Sequence, residues 1–113
     1  MQAIFVELSP FRKHRENYLD DEAYRALQKA LMENPEAGDV IKGTGGLRKI
    51  RFGDKHRGKG RRSGLRVIYY YWVKGPQFWM FALYNKDEAS DLSKGERDAL
   101  SELLRDVLRL ADR

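Results

Sequence analysis

Lys49 and Arg51 stand two residues apart in a strand-like run, and Arg66 lies in the next such run. Tyr84 ends a third, with Lys86 just beyond it. Side chains of a strand alternate between faces, so Lys49 and Arg51 share one face while Arg48, Ile50 and Phe52 share the other. Ile50 and Phe52 are the apolar pair and turn to the core, leaving Lys49 and Arg51 side by side on an open face. Arg66, near the loop end of its own run, would join them, and Tyr84 with Lys86 would complete a ring. Such a face suits RNA, because cations neutralise phosphates and aromatic rings stack on unpaired bases. Arg51 and Arg66 have the planar forks that stabilise charge developing on a phosphate. Lys49 or Tyr84 would move protons. Both side chains titrate near about 10 when unperturbed, so either would act as a base only if neighbouring cations lowered its pKa.

The charge distribution singles out the same region. The chain has 113 residues and a net charge of +5. Residues 42–66 hold ten Lys and Arg against Asp54 alone, a net of +9, whereas the segments 1–41 and 87–113 are each net acidic. A charge run is commonly a solvated face, but solvated faces intersperse the two signs. A concentration of this size calls for an anionic partner. Within it, Arg48, Lys55, Arg57, Lys59, Arg61 and Arg62 are candidates for gripping RNA phosphates, which gives salt-dependent affinity without chemistry.

Several other chemistries fall away. Gly53-x-x-x-x-Gly58-Lys59 has the spacing of a P-loop, but Gly60 stands where Ser or Thr is needed, and the segment joins two strands instead of opening a helix. Gly43-Thr44-Gly45-Gly46 resembles a phosphate cradle but precedes a strand. It reads as an ordinary loop or as a close approach of backbone to core or RNA. His56 has the side chain of a general base, yet a lone histidine in a basic loop is more often a surface residue. There are no cysteines, and the two histidines, His14 and His56, do not make a zinc site, so neither metal nor cofactor is expected. The first residues, MQAIFVELSPF, lack the basic flank and long apolar run of a signal peptide. No apolar stretch approaches the roughly 18–20 residues of a membrane span. A cytoplasmic location without membrane contact is the expectation.

The elements that must position these groups follow from pattern. Ile4, Val6 and Leu8 alternate with Phe5 and Glu7 as in a strand. Ser9-Pro10 fits a helix start, with Ser9 as N-cap, and predicts a short helix over 11–18. Asp20 or Asp21 would cap a second helix carrying Tyr24, Leu27, Ala30 and Leu31 at helical spacing, ended by Asn34-Pro35. A loop over 38–46 precedes strands at 47–52, 65–73 and 77–84, the last two joined by a Lys74-Gly75-Pro76 turn. Asp91 or Ser93 would cap a final helix, and Ser93-x-x-Glu96 matches a capping box. Its apolar stripe is Leu100, Leu103, Leu104, Val107, Leu108 and Ala111. The order β-α-α-β-β-β-α predicts one α+β domain over residues 1–113: an antiparallel sheet of about four strands with helices packed on one face.

Three stretches resemble the HigB branch of the RelE toxin superfamily: Gly38-Asp39-Val40-Ile41, Gly43-Thr44-Gly45-Gly46-Leu47-Arg48-Lys49-Ile50-Arg51, and Arg61-Arg62-Ser63-Gly64-Leu65-Arg66-Val67-Ile68-Tyr69-Tyr70-Tyr71. Tyr84-Asn85-Lys86-Asp87-Glu88-Ala89-Ser90-Asp91-Leu92 and the Tyr18-Leu19-x-x-x-x-Tyr24 opening fit the same pattern, in collinear order. The resemblance implies the toxin of a type II toxin–antitoxin pair, a ribosome-dependent mRNA endonuclease held in check by a HigA-like helix-turn-helix antitoxin. It implies cleavage by attack of the 2′-hydroxyl on the adjacent phosphate, and family catalytic or phosphate-binding cations at Lys49, Arg51 and Arg66. The chain departs from the RelE pattern at Asp87, where an arginine is expected, and at Ser93, where a tyrosine is expected. Tyr84 and Lys86 are the nearest residues that could take over those roles. A ParE-like poison of DNA gyrase and a non-catalytic RNA-binding homologue are the competing readings.

Overall fold

The computed structural model describes residues 2–53, 64–89 and 91–112. Their elements are β1 (Ile4–Glu7), α1 (Ser9–Tyr18), α2 (Asp21–Glu33), β2 (Asp39–Val40), β3 (Arg48–Phe52), β4 (Leu65–Trp72), β5 (Gln77–Asn85) and α3 (Lys94–Ala111).

Local chemistry sets most of the boundaries. The Asp20 side chain accepts the Ala23 N–H at 2.7 Å, and Asp21 and Glu22 lie in the first turn of α2, where the helix dipole favours negative charge. Ser93 caps α3 with a complete capping box: its hydroxyl accepts the Glu96 N–H at 3.1 Å, and the Glu96 carboxylate accepts the Ser93 N–H at 2.8 Å. At α1 the cap falls one residue earlier than expected. Leu8 is the N-cap, without a side-chain bond, and Ser9 and Pro10 are already helical.

The sheet order is β1-β5-β4-β3-β2. The α+β class and the element order are as expected, and three details of the layout are corrected. There are five strands among the described residues, because Asp39 and Val40 add a two-residue strand against β3. β1 runs parallel to β5, whereas the other pairings are antiparallel. The helices cover both faces instead of one. Phe11 of α1 and Leu27 and Leu31 of α2 pack with Ile50, Val67, Tyr69, Phe78 and Met80 on one face. Leu100 and Leu104 of α3 pack with Leu47, Ile68, Trp79 and Phe81 on the other. The long buried strands foreshadow this arrangement, since β4 is buried at five successive positions from Leu65 to Tyr69, as a strand covered on both sides must be.

Two polar devices tie the loop before β3 to this frame. The Tyr69 hydroxyl accepts the Gly38 N–H at 2.9 Å and donates to the Pro35 carbonyl at 2.8 Å. A Cβ on Gly38 would come within 2.8 Å of the Tyr69 ring, so only glycine allows that approach. Thr44, almost wholly buried, donates from its hydroxyl to the Ile41 carbonyl at 2.6 Å and accepts the Leu47 N–H at 3.2 Å. Its own carbonyl accepts from the Ser101 hydroxyl of α3 at 3.2 Å. Within the 43–46 segment, where Gly43, Gly45 and Gly46 have positive φ, Thr44 therefore turns into the core while Gly43 and Gly45 stay exposed.

Candidate active site

Strand register assembles the predicted cations. Arg51 of β3 lies opposite Arg66 of β4, and Arg66 lies opposite Tyr84 of β5. Directly opposed residues share a face with Cβ atoms about 4.5–5.5 Å apart, so the three form a row across the sheet. Lys49 lies one row along, opposite Ile68, and on the same face. Tyr84 reaches this row through a bulge. Ile68 pairs with Ala82 but Tyr69 pairs with Met80, which leaves Phe81 as an extra residue in β5. Without that insertion Leu83 would face Arg66, and Tyr84 would point to the opposite side of the sheet.

Ile68 packs beneath α3, so the row lies on the α3 face and is partly covered, where the sequence suggested an open face. Arg66 is only 6% exposed and its guanidinium donates to the Gly64 carbonyl at 2.9 Å. Arg51 remains exposed. The two arginines thus occupy facing positions of neighbouring strands, one buried and one open to solvent.

The segment leading into α3 brings acid to the row. Lys49 donates to the Asp91 carboxylate at 3.4 Å, with the lysine side chain 22% exposed and the aspartate 54%. The Leu92 N–H donates to that same oxygen at 2.8 Å, and this bond together with the Lys49 charge holds the Asp91 carboxyl below its usual range. The Tyr84 hydroxyl is buried and has no hydrogen-bond partner among the described residues. Burial pushes its pKa up; Asp91 and Glu96 push the same way, and Arg66 and Arg51 only partly oppose them. The expectation that a crowded cationic cluster would make Tyr84 a base is therefore reversed. Desolvation dominates, and Tyr84 stays protonated, a donor and not a base.

From sequence, Asp91 and Glu96 are read only as capping residues of the last helix and not as neighbours of the row. The capping-box pattern located the start of α3, but nothing in it says which strand ends lie beside that start. Of the other candidates, Arg48 lies on the α1–α2 face, opposite Tyr69, and its guanidinium donates to the Gly38 carbonyl at 2.7 Å and to that of Glu36 at 3.3 Å. It clamps the approach to β2 and is turned away from the row. Lys86 is exposed in the turn after β5, with no ion pair or hydrogen bond to the row among the described residues. Lys55, Arg57, Lys59, Arg61 and Arg62, with His56, lie outside the described residues.

No known family profile matches the chain. The fold is similar to a solved structure of the Escherichia coli toxin RelE, a double arginine-to-alanine mutant in the free state. The TM-score is 0.51 at 18% sequence identity, with 80% of this chain and 90% of the toxin chain covered. The α+β architecture is thus a RelE-like fold. No helix among the described residues is long and apolar enough to cross a membrane.

Proposed function

We propose that the chain is the toxin of a type II toxin–antitoxin pair, of the HigB branch of the RelE superfamily, and cuts mRNA on the ribosome without a metal. The observation that carries this reading is the Arg51–Arg66–Tyr84 row, with Lys49 beside it, on one face of a RelE-like sheet. The nucleophile, a 2′-hydroxyl, is already in the substrate; as it bonds to phosphorus its proton passes to solvent water, while the protein stabilises the phosphorane and protonates the 5′-oxygen as the P–O5′ bond breaks. The products are a 2′,3′-cyclic phosphate and a 5′-hydroxyl. Arg51 and Arg66 supply planar donors to the phosphoryl oxygens. Lys49 adds a third positive charge. Tyr84, kept protonated by burial, is the proton donor to the leaving oxygen. The basic 55–62 segment grips ribosomal RNA, the ribosome orients the message, and a small HigA-like helix-turn-helix protein is the inhibitor.

The test is primer extension on actively translated mRNA with wild type and Lys49→Ala. Site-specific cuts that vanish in the variant support the nuclease. Growth arrest without any cuts would point instead to a ParE-like gyrase poison.

A sharper prediction concerns Tyr84. Tyr84→Phe is expected to slow cleavage by about 10²-fold or more, the usual worth of a positioned acid. The same change removes a buried hydroxyl that lacks a partner, so the melting temperature should stay level or rise. Because the raised pKa keeps the hydroxyl neutral through the physiological range, wild-type cleavage should show no Tyr84-dependent loss until alkaline pH. Single-turnover rates across pH, alongside thermal melts, check both halves.

A further inference from the structure

We propose that Asp91 is the resident counter-ion of Lys49, occupying the place of a substrate phosphate, and that RNA must exchange with it to enter the site. This rests on the nuclease reading and adds a residue that sets the threshold for binding.

Asp91 sits just before the N-terminus of α3, while Lys49 comes from β3, so the 3.4 Å ion pair joins two elements across the covered face. The Asp91 oxygen that meets Lys49 is the one that accepts the Leu92 N–H at 2.8 Å, which fixes where the negative charge stands. The carboxylate lies close enough to the row to act on the Tyr84 hydroxyl, as Glu96 does from the first turn of α3. Among the described residues, Arg97 also acts on Asp91.

The pair is also easy to open. Asp91 is 54% exposed on its side chain, and ion pairs of that exposure contribute little in water. An RNA phosphate offers the same hydrogen-bond acceptors and a full charge, and it can meet Arg51 and Arg66 at the same time. The exchange keeps Lys49 paired before and after binding, so its ammonium is never left uncompensated in a partly buried site. It also handicaps stray anions that cannot span the whole row.

The experiment measures the affinity of the folded protein for a mixed-sequence 2′-O-methyl oligoribonucleotide, which lacks the attacking hydroxyl and cannot be cut. Asp91→Asn keeps the shape and an oxygen for the Leu92 N–H while removing the charge. It should bind the oligonucleotide about three- to tenfold tighter at low ionic strength, and the gain should shrink as salt rises. In a Lys49→Ala background the gain should disappear, because there is then no ion pair to exchange. Glu96→Gln, which keeps the capping box, serves as a comparison for charge removal nearby. Equal or weaker binding by Asp91→Asn would overturn the proposal, as would a gain that persists without Lys49. Failure of the nuclease reading looks different: wild type would then give no site-specific cuts in translated mRNA by primer extension, whatever its affinity for the oligonucleotide.

Discussion

Replacing Arg66 with alanine is expected to lower mRNA cleavage by about 10²–10³-fold while leaving the protein folded, the scale seen when one preorganised donor to a developing oxyanion is removed. Arg66 is the middle member of the row, flanked across the sheet by Arg51 and by Tyr84, so its fork is best placed to reach a phosphate held between them. The fold should tolerate the loss. Arg66 is buried near the loop end of β4, away from the Phe78 aromatic cluster, and deleting it removes a desolvated charge together with its bond to Gly64 and its other contacts. Arg66→Lys should fall in between, because it keeps the charge but loses the planar fork. Single-turnover cleavage together with circular-dichroism melts separates the outcomes. A folded Arg66→Ala protein with full activity would remove Arg66 from the mechanism.

The second large effect concerns stability. Phe78→Ala is expected to destabilise the protein by about 3–5 kcal/mol, the usual cost of deleting a fully buried aromatic ring. Phe78 is completely buried and stacks on Phe5 of β1 at 4.8 Å between centroids, with Tyr71 at 4.9 Å and Tyr69 at 6.2 Å. One ring therefore ties the edge strand to the two central strands, and its loss opens a void that three neighbours cannot all fill. Domains of this size are stable by only about 5–15 kcal/mol, so the change removes a large share. Urea denaturation with an unchanged slope and a lowered midpoint is the expected result. A loss below about 1 kcal/mol would mean that the aromatic cluster can repack.

The parts of this site that could be read from sequence are those that depend on alternation within one strand. Lys49 and Arg51 had to share a face, and Ile50 and Phe52 had to be the apolar pair opposite, because the period of a strand is two. The α+β class followed from the order of elements, and the RelE-like fold was implied by the resemblance of the quoted stretches. Tyr84 was named correctly as a neighbour of the row, but the reason for its position was hidden. It depends on one bulged residue, Phe81, and bulges have no firm signature in a single sequence. Helix packing on both faces was missed because the polar face of β3 was taken as open. Lys49 in fact tolerates partial cover by pairing with Asp91, a contact across 42 positions that local pattern cannot foresee. The raised pKa of Tyr84 was likewise out of reach, since it comes first from burial and then from Asp91 and Glu96, whose approach to the row only the folded chain displays.

The parallel pairing of β1 with β5 has a consequence for synthesis. Ile4 pairs with Gln77, 73 positions later, so β1 waits for the last of the described strands before it has a neighbour. Closing so long a loop is slow relative to local structure formation. The row needs β3, β4 and β5 together, and α3 must follow to deliver Asp91. On the proposed reading, a growing chain would carry no finished surface for RNA until β5 and α3 have both emerged from the ribosome.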